Sequence, residues 1–155
     1  MGSDSDWPIL KPAVDILHTF GIESEVVVAS AHRTPAKVHD FVTGASERGI
    51  GVFISAAGAA AHLGGVIASL TTLPVIGVPI NATPLNGLDA LLSTVQMPSG
   101  IPVATMAVNG AKNAGIFAAQ IIAVGNPELQ KKLIAHRQQM AEEVEKKAAK
   151  VAAQL

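Results

Sequence analysis

The chain of 155 residues carries a formal net charge of -1, contains no cysteine, and is 49% hydrophobic against 15% charged. A charge near zero argues against a basic surface for a nucleic-acid backbone, and the lack of cysteine excludes disulfides and thiol catalysis. No apolar run reaches the length of a membrane span and the start lacks a signal-peptide pattern, so we expect a cytoplasmic protein of one domain, residues 1–155, that binds neither nucleic acid nor membrane.

Helix signals and short apolar runs alternate along the chain. Helix starts and apolar residues at helical spacing predict helices over 7–20, 35–48, 87–95 and 113–124, and a C-terminal helix over 126–155. Short apolar runs predict strands over 25–29, 51–56 and 74–79 and an extended segment over 102–108, while the small-residue loop 55–65 opens another helix. This alternation predicts an α/β fold: a single-domain, three-layer, doubly wound (flavodoxin-like) parallel sheet with a long C-terminal helix.

The C-terminal helix leaves two interpretations open. Leu133, Met140, Val144 and Val151 could form a narrow apolar seam between charged pairs. The helix is then either a solvated end of the chain or a surface that docks on a neighbouring subunit. The alanine- and glycine-rich composition indicates close packing and buried subunit interfaces, so we expect a homo-oligomer.

Ligands of open α/β sheets bind beyond the carboxyl ends of the strands, where three loops of this chain are expected. The first loop, Gly2 to Asp6, places hydroxyl side chains and backbone N–H groups at a helix start, where they could bind a phosphate. N-capping by Ser3 or Asp6 explains the same residues, and the motif alone favours capping.

The second loop, Ser30-Ala31-His32-Arg33-Thr34-Pro35, combines a hydroxyl, an imidazole and a guanidinium. Arginine offers a rigid fork for a phosphate, and histidine changes charge near neutral pH. One loop could therefore hold an anionic substrate and transfer a proton. The alternative is a structural histidine that bonds a backbone carbonyl; the position in a ligand-facing loop favours function. Thr34 is predicted to cap the helix that follows.

The third loop, Ser55 to Gly65, has almost no side chains, so its backbone could approach a flat ligand. It is not a dinucleotide-binding fingerprint. His62 could contact a substrate or only orient the loop, and the two interpretations stay open. The remaining histidines are expected on helices as surface or packing residues: His18, His39 and His136.

The motifs MGSDSDW, SAHRTP, AAAHLGG, PVIGVP, LLSTVQMPSGIPVAT and GAKNA, in this order, resemble the N5-carboxyaminoimidazole ribonucleotide mutases. The resemblance covers residues 1–124. It implies a cofactor-free, metal-free step of de novo purine synthesis in which the carboxylate of N5-carboxyaminoimidazole ribonucleotide moves from nitrogen to carbon, giving the 4-carboxy isomer. By the same resemblance carbon dioxide is released and recaptured in a closed pocket, and a homo-octamer is expected.

Matching the motifs residue by residue implies the site. His32 is the expected catalytic acid/base, Ser3, Ser30 and Arg33 would meet the phosphate, and Asp6 would hold ribose hydroxyls. The resemblance also implies further substrate contacts, at Ser5, Ala31, Ala57, Gly58, His62 and Leu63. The turn before Met97-Pro98 could reach the site of a neighbouring subunit.

Three departures from the family pattern have structural consequences. Family members carry a short hydrophobic strand before the MGS loop, and its absence predicts unpaired backbone and exposed apolar surface. Ala57 and Ala59 stand where glycine is usual, which requires φ below zero at both. Asn109-Gly110 replaces a more usual Ile-Gly turn, a change for which the sequence offers no function.

Two other functions compete with the mutase. An animal-type relative carboxylates aminoimidazole ribonucleotide directly with carbon dioxide. A flavodoxin-like module that binds a phosphate or flavin would share the fold, but it would not need His32 beside Arg33, and with one Trp, no Tyr and four Phe the chain has few aromatic residues to stack a flavin.

Overall fold

A computed structural model describes residues 1–154 of the chain. In chain order it contains α1 (Trp7–Phe20), α2 (Pro35–Thr43), β1 (Phe53–Gly58), α3 (Leu63–Leu70), β2 (Val75–Ile80), α4 (Leu88–Val95), β3 (Ala104–Thr105), α5 (Ala111–Ala123) and α6 (Pro127–Ala152). Single 3-10 turns lie at Asp4–Asp6 and Ser46–Arg48.

The strands form a parallel sheet in the order β1-β2-β3. Phe53 pairs with Val75 and Gly58 with Ile80, so β1 and β2 run in register along their whole length. Every residue of β2 is buried, as expected for a central strand covered on both faces. One apolar cluster joins α1, α5 and the start of α6 on one face, and a second joins α2 and α3 on the other. The predicted three-layer α/β fold is confirmed.

The strand predicted over 25–29 is wrong. In the structure this segment runs beside the N-terminus: Met1 donates its terminal amine to the Val27 carbonyl at 2.9 Å, and Ala29 N–H donates to the Met1 carbonyl at 2.9 Å. Val26 and Val28 are each 43% exposed. An apolar run becomes a strand only where a partner backbone lies beside it, and beyond Met1 this segment faces a cavity instead of β1.

Several other bounds differ from the sequence predictions. The second helix ends at Thr43, because Gly44 follows and the chain turns through Gly49 at φ 77°. β1 continues to Gly58, so the third loop begins later than predicted, and the extended segment 102–108 pairs with the sheet only at β3. Thr34 occupies the N-cap position of α2 without a side-chain capping bond.

The structure supplies a reason for Asn109. Its backbone lies in the left-handed region at φ 58°, which asparagine tolerates better than a β-branched residue. Asn109 N–H donates to the Pro79 carbonyl at 2.8 Å, and its side-chain oxygen accepts from Asn81 N–H at 2.9 Å. The residue therefore fixes the loop after β2 against the loop before α5.

α6 docks on the rest of the chain through its first turns. The Asn126 side chain caps the helix by accepting from Leu129 N–H at 3.1 Å, and Leu129 is buried. Lys132 Nζ donates to the Phe20 carbonyl at 2.8 Å. Farther along, the apolar side chains are exposed: Met140, Val144 and Val151. Within residues 1–154 no helix is both long and apolar enough to cross a membrane.

Candidate active site

The three ligand loops gather at the carboxyl end of β1. Gly2 N–H donates to the Ala56 carbonyl at 3.1 Å, which anchors the first loop to this strand. The second loop begins at Ser30, directly after the bond from Ala29 to Met1. The third loop leaves β1 at Gly58 and enters α3 at Leu63. Backbone pairing therefore brings segments distant in sequence to one edge of the sheet.

The first loop forms the capping box that its motif favours. Ser3 Oγ accepts from Ser5 N–H at 3.3 Å, and Asp6 Oδ2 accepts from Ser3 N–H at 3.2 Å. Ser5 Oγ donates to Ser3 Oγ at 2.8 Å. Asp6 is buried, and this burial raises the pKa of its carboxyl, although the hydrogen bond from Ser3 N–H opposes the shift.

The second loop is held by reciprocal bonds between its ends. Ser30 N–H donates to Thr34 Oγ1 at 2.9 Å, while Thr34 N–H donates to the Ser30 carbonyl at 2.9 Å. Ser30 Oγ accepts from Arg33 N–H at 3.2 Å. The Thr34 hydroxyl thus closes the loop instead of capping α2. The loop has a fixed shape that leaves His32 and Arg33 exposed.

Arg33 connects the first two loops. Its Nη2 donates to the Gly2 carbonyl at 3.2 Å, and its Nε lies 3.4 Å from Ser30 Oγ. An exposed guanidinium beside the Ser30 hydroxyl, with donors left over, is suited to a phosphate. Its bond to the Gly2 carbonyl places it next to the loop that carries Ser3.

His32 and His62 connect the second loop to the third. His32 Nε2 lies 3.0 Å from His62 Nδ1, and the two rings are nearly perpendicular at 83°. One nitrogen must donate while the other accepts, so the contact ties the tautomer of one ring to that of the other. Both side chains are exposed and can reach a bound molecule.

The third loop passes close to the loop after β2. A Cβ added at Gly58 would lie 2.6 Å from the Ala82 methyl and 3.3 Å from the Ile80 carbonyl, so only glycine fits there. Ala59 follows at φ 52°, which contradicts the expectation of a φ below zero. Ala57 meets that expectation in the extended backbone of β1. The chain therefore carries strain at Ala59, because alanine in this region is less stable than glycine.

The residues expected in the site differ in how far their side chains are exposed. Exposed or half-buried side chains are available at Ser3, Ser5, Ser30, His32, Arg33 and His62. Leu63 is 4% exposed and packs with Val38 and Val42 in the core, so only its backbone faces the loops. Ala31 also packs against this cluster. The other histidines lie apart: His18 and His39 are exposed on helices, and His136 packs edge-on against Phe20.

Sequence reasoning missed two contributors. The Gly2 carbonyl receives the guanidinium of Arg33, a backbone role that no side-chain motif reveals. Met97 lies against the third loop's helix within its own chain, since a Cβ at Gly65 would be 3.2 Å from Met97 Sδ. The sequence predicts for the Met97-Pro98 turn only a possible contact with a neighbouring subunit. Nothing in the sequence indicates that Met97 also lies beside Gly65 of its own chain.

The site unites groups for two tasks. The hydroxyls, the guanidinium and the backbone N–H groups are suited to binding an anion, and the imidazole pair is suited to proton transfer. A phosphorylated molecule that gains and loses a proton suits this combination.

Comparison with known proteins agrees with this chemistry. A family model described as AIR carboxylase matches residues 1–143. Proteins named N5-carboxyaminoimidazole ribonucleotide mutase from Thermotoga maritima and Pyrococcus horikoshii are 54% and 55% identical to this chain over 148 residues. The match covers 96% of this chain, 86% of the Thermotoga protein and 84% of the Pyrococcus protein. The crystal structure of Treponema denticola PurE has a TM-score of 0.85 and 27% identity, covering 97% of this chain and 94% of that one.

A plant relative carries a different name. The chloroplastic phosphoribosylaminoimidazole carboxylase of Vigna aconitifolia is 50% identical over 144 residues, which is 93% of this chain and 26% of that protein.

Proposed function

Because the chain belongs to the AIR carboxylase family, we propose that it is a mutase that converts N5-carboxyaminoimidazole ribonucleotide to the 4-carboxy isomer in de novo purine biosynthesis, with His32 as its acid/base. The observation that carries the role of His32 is its place at 3.0 Å from His62 and next in sequence to Arg33, which reaches the Gly2 carbonyl. A proton-transferring group thus lies beside an anion-binding loop.

The reaction moves a carboxylate without net change in atoms. The N–CO2 bond of the carbamate breaks, carbon dioxide leaves, and the electron pair stays on nitrogen, to which His32 delivers a proton. C4 of the ring then attacks carbon dioxide through its own electron pair. The C4 proton passes to His32, which restores the starting protonation. A pocket closed to water would retain the carbon dioxide between the two steps.

The remaining loop residues bind and orient the ribonucleotide. Arg33, Ser30 and Ser3 would receive the phosphate, and Asp6 with Ser5 would lie along the ribose. The backbone at Gly58 would pass close to the base, because this glycine already lies against Ala82 and Ile80. The wider set of contacts includes Ala31, Ala57, His62 and the backbone of Leu63.

An assay without ATP tests the proposal. The parent chain and His32→Asn are supplied with N5-carboxyaminoimidazole ribonucleotide, and the 4-carboxy product is followed by ultraviolet absorbance. We expect turnover by the parent and a loss of about 100-fold or more in His32→Asn. His39→Asn, an exposed histidine outside the loops, is the matched control. Equal rates for parent and His32→Asn would refute the role of His32.

Direct carboxylation of aminoimidazole ribonucleotide is the second candidate. The plant relative's name and the family description favour it. Labelled bicarbonate distinguishes the two reactions: a mutase transfers the carbamate carbon and leaves the label largely in solution, while a carboxylase incorporates it from the start.

The proposal extends to assembly. Three exposed apolar residues at helical spacing, Leu88, Leu92 and Val95, follow one side of α4, and the exposed Leu85 lies in the turn before it; together they suit a subunit interface. The homo-octamer and the cofactor-free reaction come from the family resemblance, and the cytoplasmic location is the expectation from the sequence pattern. Light scattering of the purified chain, with Leu92→Glu as the comparison, tests the assembly.

A further inference from the structure

Asn109 pairs with the end of β2 as one more residue of the sheet would. In a parallel pair, a residue donates its N–H to the neighbouring strand and accepts, at its carbonyl, from the N–H two residues farther along that strand. Asn109 makes both bonds: its N–H donates to the Pro79 carbonyl at 2.8 Å, and its side-chain Oδ1 accepts from Asn81 N–H at 2.9 Å. The side-chain amide therefore replaces a main-chain carbonyl opposite Ile80.

The local backbone explains why a side chain takes this part. Asn109 lies in the left-handed region at φ 58°, so the chain has left the extended conformation there. Its own carbonyl accepts instead from Ala111 N–H at 2.9 Å, at the start of α5. Pro79 has no N–H to donate. Within residues 1–154, Asn109 thus supplies both bonds to this edge of β2 beyond the bond from Met106 N–H to the Gly77 carbonyl at 2.8 Å.

The residue after Asn81 lies against the third ligand loop. The pairing of β1 with β2 ends at Gly58 and Ile80. A Cβ built on Gly58 would lie 2.6 Å from the Ala82 methyl, so Ala82 is in contact with the Gly58 backbone. The chain from Gly58 leads into the turn that ends at His62, before α3. The position of Ala82 therefore limits where the third loop can lie.

A second contact holds the other side of Ala82. Thr83 Oγ1 donates to Asp89 Oδ2 at 2.8 Å and accepts from Leu85 N–H at 3.2 Å. Asp89 belongs to the first turn of α4, so this bond ties the loop after β2 to a helix. Ala82 thus lies between one residue that is held by Asn109 and another that is held by Asp89.

We propose that Asn109 is a positioning residue for the ligand site: its side-chain amide holds Asn81, and through it Ala82, against Gly58, which sets the place of the third loop. This role deepens the proposed function and rests on it, because the Gly58 backbone is proposed to pass close to the base of the ribonucleotide. Asn109 acts through Ala82 and not by contact with the substrate.

Two replacements at Asn109 separate the side-chain bond from the backbone. Asn109→Gly accepts the left-handed φ and keeps the N–H bond to Pro79, but it loses the acceptor for Asn81. Asn109→Asp keeps an oxygen acceptor at this place and tolerates the same φ. Asn86→Gly is the matched control, since Asn86 is another left-handed asparagine, at φ 52°, in the loop between β2 and α4.

Hydrogen exchange of single amides is the first measurement. In Asn109→Gly, exchange at Asn81 N–H should become about tenfold faster, because that donor loses its partner. The His62 N–H donates to the Ala60 carbonyl at 2.8 Å within the third loop, and its exchange should become about threefold faster, because the loop is held less firmly. Asn109→Asp and Asn86→Gly should keep the parent's rates at both amides.

Steady-state kinetics with N5-carboxyaminoimidazole ribonucleotide are the second measurement. Asn109→Gly should raise KM about fivefold and keep kcat within about twofold, because the loop beside the base is displaced while His32 remains. Asn109→Asp should restore the KM of the parent. A simple loss of stability would lower the active fraction, and with it the apparent kcat, and would leave KM unchanged.

The contrary results are equally distinct. Faster exchange at Asn81 with unchanged exchange at His62 would overturn the positioning role, since the effect of the bond would then be local. A KM equal to that of Asn86→Gly, or one that Asn109→Asp does not restore, would overturn it as well. The exchange experiment uses no substrate, so a parent chain without turnover would refute the proposed function and leave the exchange at His62 to decide the role of Asn109.

Discussion

His32 Nε2 and His62 Nδ1 lie 3.0 Å apart although 30 residues separate them in sequence. The first follows the segment that pairs with Met1, and the second follows β1. Because one of the two nitrogens must accept, the tautomer of His32 is tied to that of His62. The pair therefore joins the proton chemistry of the second loop to the geometry of the third.

Replacement of His62 separates positioning from proton transfer. In His62→Ala we expect kcat to fall by about tenfold, because His32 loses the partner that orients its ring. His62→Gln retains a hydrogen-bonding side chain and should recover part of the rate. The measurement is kcat and KM, with His39→Ala as control. An unchanged kcat in His62→Ala would contradict the pairing role.

Arg33→Lys tests the anion-binding loop. Lysine keeps the charge but lacks the fork that reaches both the Gly2 carbonyl and Ser30 Oγ. We expect KM to rise roughly tenfold, the value of one or two charged hydrogen bonds, with a smaller change in kcat. Steady-state kinetics provide the test. Arg137→Lys on the exposed surface of α6 should leave both constants unchanged; a KM for Arg33→Lys equal to that of this control would exclude the phosphate role.

Asp6 makes stability depend on pH. Its pKa in the folded chain is raised, first by burial, so the folded state holds this proton more tightly than the unfolded state. The contribution of Asp6 to stability is therefore largest below the unfolded pKa of about 3.9 and declines as the pH rises through the folded pKa.

Asp6→Asn is expected to remove that decline. In urea unfolding between pH 3 and pH 7, the free energy of unfolding should depend less on pH in Asp6→Asn than in the parent. Asp15→Asn, at an exposed position of α1, is the control and should keep the parent's dependence. The same Asp6 variant should bind the ribonucleotide more weakly, because an amide replaces the acceptor proposed for the ribose. A parallel slope in the parent and Asp6→Asn would refute this source of pH dependence.

Ala59→Gly should stabilise the chain. Ala59 has φ 52°, where a Cβ is unfavourable, and glycine relieves this at the cost of a more flexible unfolded state. We expect a gain of about 0.5–1 kcal/mol, or roughly 1–4 °C in thermal midpoint. Ala57→Gly is the matched control: it lies two residues earlier in extended β1 and should lose about 0.5–1 kcal/mol. A destabilised Ala59→Gly would show that its methyl packs favourably.

Much of the fold follows from local pattern. Trp7-Pro8 and Gly21 set the bounds of α1, and the sequence predicts both. It also predicts β2 and the start of α6 after Asn126. The strand predicted at 25–29 does not form. An apolar pattern is a local property of the sequence, whereas strand pairing requires a second segment of backbone beside it. Val26 and Val28 have the right chemistry, yet the space beside them is a cavity.

The sequence by itself determined the alternation of strands and helices, the three loops, and, through its motifs, the family and the residues expected to act. Those features depend on residue types and short spacings, which can be identified in the sequence directly. The tertiary structure alone decided that Arg33 reaches Gly2, that His32 meets His62, that Ala59 has a positive φ, and that a cavity lies between residues 24–28 and β1. Each of these depends on which segments, distant in sequence, meet in space, and local residue preferences do not specify those contacts.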